Sequence, residues 1–150
     1  MKKIDMRYYI CAFIGLSLII SCDVSIKKEN NEADIEVAKE LSNNFYNLVI
    51  QKNFEEASLY FGPSIGYEDG LDILINVNNH IGNLDSVIYI NGTSKTINSA
   101  KSVNAEYVLN FNTYYNKNRA KEEMVIELIN DTLKIEGYHP RVTVTSTSED

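Results

Sequence analysis

The side chain in this sequence best suited to acid or base chemistry is a carboxylate set among apolar neighbours. In the stretch from Ala120 to Ile129, strict alternation puts Glu122 on the same side as Met124, Ile126 and Leu128. Such a carboxyl group either sits in a pocket, where desolvation raises its pKa, or lies at a rim in water. Its place at a strand start favours the rim. Other chemistries find less to work with. The two histidines, His80 and His139, lie far apart in the chain, whereas zinc sites draw several His and Cys ligands from short spacings. Glu68, Asp69 and Asp72 lack the alternating oxygen donors of a calcium loop and read as a solvated loop and helix start, where acids suit the positive helix end. No serine stands in a Gly-x-Ser-x-Gly turn, and neither histidine has a partner nearby in the chain to orient it. His80 falls in the last turn of an expected helix, where a cation is stabilised. No metal or cofactor is expected.

The elements that must position Glu122 come from a chain of 150 residues, 44% hydrophobic and 23% charged, with 14 basic against 21 acidic side chains. That length holds one domain. The net charge of -7 argues against nucleic acid, because a phosphate-binding face is built from clustered Lys and Arg. Ile35, Ala38, Leu41, Phe45, Leu48 and Val49 recur mostly at spacings of three and four, which predicts a helix over residues 34 to 52. Asn53, three residues before Glu56, resembles a capping box, and the short helix it would open, residues 54 to 61, is stopped by Gly62-Pro63. A loop over SIGYEDG precedes a third helix from Leu71 to Ile81, with Gly82 as its stop.

From Asp85 the period changes. Val103, Ala105, Tyr107, Leu109 and Phe111 alternate with polar residues, the two-residue repeat of a strand with one buried face. A strand over Ser86 to Asn91 precedes it, ending at Gly92. Another, from Ala120 to Ile129, follows it and turns at Asn130-Asp131 into TLKIEGY. Helices first and strands afterwards predict an α+β domain over residues 34 to 140, with a curved antiparallel sheet packed on N-terminal helices. Residues 141 to 150, rich in Ser and Thr, read as a flexible tail, with Val142 and Val144 as the residues able to extend a last strand.

The start of the chain has another character. Lys2, Lys3 and Arg7 precede thirteen uncharged residues, Tyr8 to Ile20. A helix of that length spans about 20 Å against a hydrocarbon core of ~30 Å, so the stretch reads as a secretory signal rather than a membrane span. It ends Ile19-Ile20-Ser21-Cys22, which resembles a bacterial lipoprotein lipobox. That resemblance implies diacylglycerol on the Cys22 sulfur, cleavage after residue 21, and acylation of the new amino terminus. Cys11 lacks the preceding small residue and leaves with the signal. The remaining chain carries 11 basic and 20 acidic side chains, net −9, a surface that anionic lipid headgroups repel and that favours a domain held off the bilayer rather than lying on it. Residues 22 to 33 read as the lipidated cysteine and a flexible tether, of which residues 23 to 33 reach about 35 to 40 Å when extended. The location that follows is the bacterial cell envelope, on a membrane facing the periplasm or the exterior.

Three helices followed by a bent meander resemble the nuclear-transport-factor-2-like, or cystatin-like, cone fold and its small secreted domains. The resemblance is carried by FYNLVIQKNFEEASLYF at 45 to 61, IGNLDSVIY at 81 to 89, and EEMVIELINDTLKIEGYHP at 122 to 140. It implies an interior cavity that Tyr46, Tyr107 and Phe111 would line together with Glu122. Two functions follow as expectations. One is a membrane-anchored, non-catalytic domain that binds a small ligand or an envelope protein, and a dimer is compatible with it. The other is a cone-fold lyase or isomerase with Glu122 as its pocket carboxylate.

Overall fold

Five antiparallel strands, ordered in the sheet as they are in the chain, form one open meander, and three helices pack on one of its faces. The computed structural model describes residues 26 to 98 and 103 to 143. The expected signal at 1 to 21, Cys11, Cys22 and residues 144 to 150 lie outside the described residues. The order is β1 (Ile26–Glu29), α1 (Glu32–Ile50), α2 (Phe54–Ser58), α3 (Tyr67–His80), β2 (Leu84–Asn98), β3 (Val103–Tyr115), β4 (Arg119–Ile129) and β5 (Thr132–Thr143). This is the expected α+β class.

Helix α1 starts where its cap allows. The Asn31 side chain accepts from the Ala33 backbone N–H at 3.1 Å, and Glu32 and Asp34 occupy the first turn, where negative charge suits the helix dipole. Ala38, Ser42, Phe45, Tyr46 and Val49 form its buried stripe. Helix α2 ends three residues short of the expected span because the backbone of Tyr60 to Gly62 bonds to β5 instead. The Ile135 N–H donates to Tyr60 O, and the Gly62 N–H donates to Ile135 O, both at 2.9 Å. Asn53 opens α2 without a side-chain cap on the backbone; its amide donates to the Glu56 carboxylate. Helix α3 begins at Tyr67, inside the stretch expected as a loop. Gly70 is thereby helical and lies under the Phe61 ring, where an added Cβ would stand 2.1 Å from Cδ2. Gly82, at φ 121, ends α3 as expected.

The strands run longer than their patterns. Strand β2 passes through Gly92 to Asn98 and pairs with β3 along its length, with register shifts at Leu84/Ser86 and Tyr89/Asn91. Gly92 marks a close approach rather than a stop, since a Cβ there would lie 2.4 Å from Leu109 Cδ2. Asn130 and Asp131 take φ values of 48 and 61, a two-residue turn of the kind that matches strand twist. Ile26 to Glu29, expected within the free tether, pair with Lys95 to Asn98 as β1. Arg141 to Thr143, expected in the free tail, continue β5 beside Arg119 to Lys121.

The core lies between the helices and the covered face of the sheet. Phe45 is its hub: its ring meets Tyr46, Tyr60, Phe61 and Tyr138 edge to face at centroid distances of 5.3 to 6.3 Å. Aromatic pairs so arranged add about 0.5–1.5 kcal/mol each beyond the area they bury.

Candidate functional site

Glu122 is buried, with 1% of its surface exposed, and this overturns the expected placement at a rim in water. The reason is strand length. Strand β4 opens at Arg119, one residue before the expected Ala120, β3 continues past Phe111 to Tyr115, and β5 continues past Tyr138 to Thr143. Glu122 therefore lies inside the sheet with Phe111 on one side and Pro140 on the other.

Each carboxylate oxygen is engaged. The Tyr46 hydroxyl, from α1, donates to Oε2 at 2.9 Å. Thr113 Oγ1, from β3, donates to Oε1 at 3.0 Å, and the Tyr115 hydroxyl donates to the same oxygen. Alternation places Thr113 and Tyr115 on the face of β3 that also carries Phe111, and the helical stripe of α1 aims Tyr46 at that face. The Tyr138 hydroxyl, from β5, is buried beside this group and has no hydrogen-bond partner of its own among the described residues, although it acts on both Glu122 and Tyr115. Two elements, α1 and β3, thus hold the acid, and a third, β5, leans on it.

Burial raises the Glu122 carboxyl above its ordinary value of 4.5, and the hydroxyls of Tyr115, Tyr46 and Thr113 oppose that shift by bonding the charged form, with the nearby Tyr138 hydroxyl acting in the same direction. Burial likewise lifts Tyr46, Tyr115 and Tyr138 above the ordinary tyrosine value of 10.0, and the Glu122 charge pushes each of them further. The three phenols stay protonated, and Tyr46 and Tyr115 serve as donors. Chemically the group can keep a proton or a charge in the interior. A general base must also come within hydrogen-bond reach of the proton that it takes. Here the oxygens face side chains that are themselves buried: Tyr46, Phe111, Tyr115 and Tyr138 are 1 to 6% exposed.

Of the residues expected to line a cavity, Tyr46 and Phe111 do meet Glu122, with the two rings 5.1 Å apart. Tyr107 does not. It lies four residues from Phe111 along β3, about 13 Å away, with Thr96 and Asp34 as neighbours. Thr113, Tyr115 and Tyr138 were missed. The first two continue the alternation that was followed only to Phe111, and the third stands in the Gly137-Tyr138 pair that was taken as a strand end.

Elsewhere, His80 sits in the last turn of α3, its Nδ1 2.8 Å from Asn76 O. Among the described residues no three His, Cys, Asp or Glu side chains gather as a metal site would require, and no helix is long and apolar enough to cross a membrane. A shallow depression of about 300 Å³ runs from β2 to β5, where Asn110, Lys121, Glu123 and Arg141 meet Ile90 and the strand positions of Phe111, Glu122 and Val142. No family model, curated protein or solved structure matches this chain.

Proposed function

We propose that this protein is a lipid-anchored component of the bacterial cell envelope, acylated at Cys22, whose domain is a cone of the nuclear-transport-factor-2-like type serving as a non-catalytic binding or scaffold module. The observation that carries the non-catalytic reading is the filled interior. Glu122, the one buried carboxylic acid among the described residues, is bonded by three hydroxyls and enclosed by aromatic rings, so that its oxygens are already engaged within the core. Binding then falls to the uncovered sheet face, where the depression between β2 and β5 offers Lys121, Arg141, Glu123 and the exposed Ile90 to an envelope protein. The location rests on the run Ile19-Ile20-Ser21-Cys22 after a short apolar stretch.

A photo-crosslinking residue in place of Asn110, in intact cells making the full chain, tests the binding reading. A discrete adduct, absent when the probe replaces Asn79 on α3, is the expected result. Equal and diffuse labelling at both places would end it. Cys22→Ser tests the location separately: the wild-type chain incorporates a labelled fatty acid and sediments with membranes, and the variant does neither.

The raised carboxyl of Glu122 favours a second reading, a lyase or isomerase whose interior opens to admit substrate. Glu122→Gln should then abolish a turnover that the folded wild type shows. If no turnover or ligand affinity changes, that reading is finished.

A further inference from the structure

We infer that the end of the sheet where β1 meets β2 rests against the lipid bilayer, so that the domain is held on the membrane surface and not lifted clear of it. The inference depends on the proposed acylation of Cys22, and it starts from the pairing of β1. Because Ile26 is already hydrogen-bonded into the sheet opposite Asn98, only Asp23, Val24 and Ser25 separate the domain from Cys22. That chain reaches about 14 Å at most, at ~3.3–3.6 Å per residue. Acyl chains on Cys22 would hold it at the headgroup level, a layer roughly 5–8 Å thick on each side of the hydrocarbon. The sheet end therefore cannot stand more than roughly 6–9 Å off the headgroup layer.

The side chains at that end suit such a neighbour. Ile26 is 55% exposed and Val103 48%, both flanking Asn98 in the pairing register. Ile97, Leu128 and Ile129 are half-buried at the same end, where Leu128 and Ile129 adjoin Asn104 and Ala105. Charge there is mixed, with Lys27, Lys28 and Lys95 against Glu29, Glu32, Asp34, Glu106 and Glu127, and Lys27 pairs with Glu29. Contact with lipid thus rests on the aliphatic side chains rather than on attraction to anionic headgroups. Tyr115 and the turn that follows β3 stand at the opposite end, about 40 Å away along the strand.

The acylated chain itself provides the test, because Cys22 would be blocked and Cys11 removed, leaving an introduced cysteine as the one thiol to label. Val103→Cys, Ile97→Cys and, as the distant control, Lys117→Cys are each labelled with an environment-sensitive fluorophore. They are then reconstituted in vesicles of phosphatidylethanolamine and phosphatidylglycerol that carry a nitroxide lipid. Quenching several-fold stronger at residues 97 and 103 than at 117 is the expected result, and a Gly-Ser spacer inserted after Ser25 should abolish the difference. Equal quenching at all three positions in a chain shown by mass spectrometry to be acylated overturns the inference and leaves the anchor standing. A chain recovered with an unmodified Cys22 overturns the anchor and this inference with it. Positions 97 and 103 are read independently, so the misfolding of one variant leaves the other decisive.

Discussion

Three hydroxyls from two elements, α1 and β3, converge on Glu122, and its protonation is therefore tied to folding. Its carboxyl is raised in the folded chain relative to the unfolded one, so between the two values the folded state holds more protons. Stability from this group is then fully present below the ordinary value of 4.5 and is lost as pH rises through the folded value. Denaturant titrations at several pH values should show the wild type losing stability relative to Glu122→Gln as pH climbs from about 4.5. At neutral pH the substitution itself is expected to cost about 1–3 kcal/mol, because an amide cannot accept all three hydroxyls. Gly70 gives a second test of opposite sense to intuition. A helical Gly→Ala change ordinarily stabilises by up to ~1 kcal/mol. Gly70→Ala should instead destabilise by about 1–3 kcal/mol, since its methyl would meet the Phe61 ring, and a melting curve reads the sign directly. Alternation told which way Glu122 points. It did not tell depth, which depends on how far β3 and β5 run beside it.

At the scale of elements, the apolar spacing located the first helix to within two residues at each end, and the Asn130-Asp131 turn was legible because both residues tolerate positive φ. The errors share a cause. Gly92 and Gly62 were read as local stops, Gly70 as loop and Tyr60-Phe61 as helix, but Gly92, Gly70 and the run Tyr60-Phe61-Gly62 each answer to a partner elsewhere: Leu109, Phe61 and Ile135. Strand β5 is covered at Ile135 by that run and is a free edge beyond it. Pro140, opposite Glu122, has no N–H and interrupts the edge. Pro140→Thr restores a donor, and size-exclusion chromatography over a range of concentrations should show the variant associating where the wild type does not. Coelution at every concentration would remove the guarding role from Pro140.

For the whole molecule, the change from a period near 3.6 to a period of 2 at Asp85 was enough to place the chain in the α+β class. The pairing of β1 with β2 was not legible, since Ile26 to Glu29 hold only one apolar side chain, and the surface they meet is assembled some seventy residues later. Stability is expected to be uneven as a result. Amide exchange should be fastest in β1 and at Lys95 to Asn98, and slowest in β3 and β4, which lie between partners on both sides. Uniform protection across the sheet would contradict this. The unevenness has a mechanical side. If the chain is held at Cys22, traction between membrane and domain enters through β1, which is joined to the sheet by four residues and pulls away from one edge. Peeling that strand would lengthen the leash by about 14 Å while leaving the aromatic core and its carboxylate undisturbed. The first strand would thus act as a slack reserve, taken up under load and rewound on release.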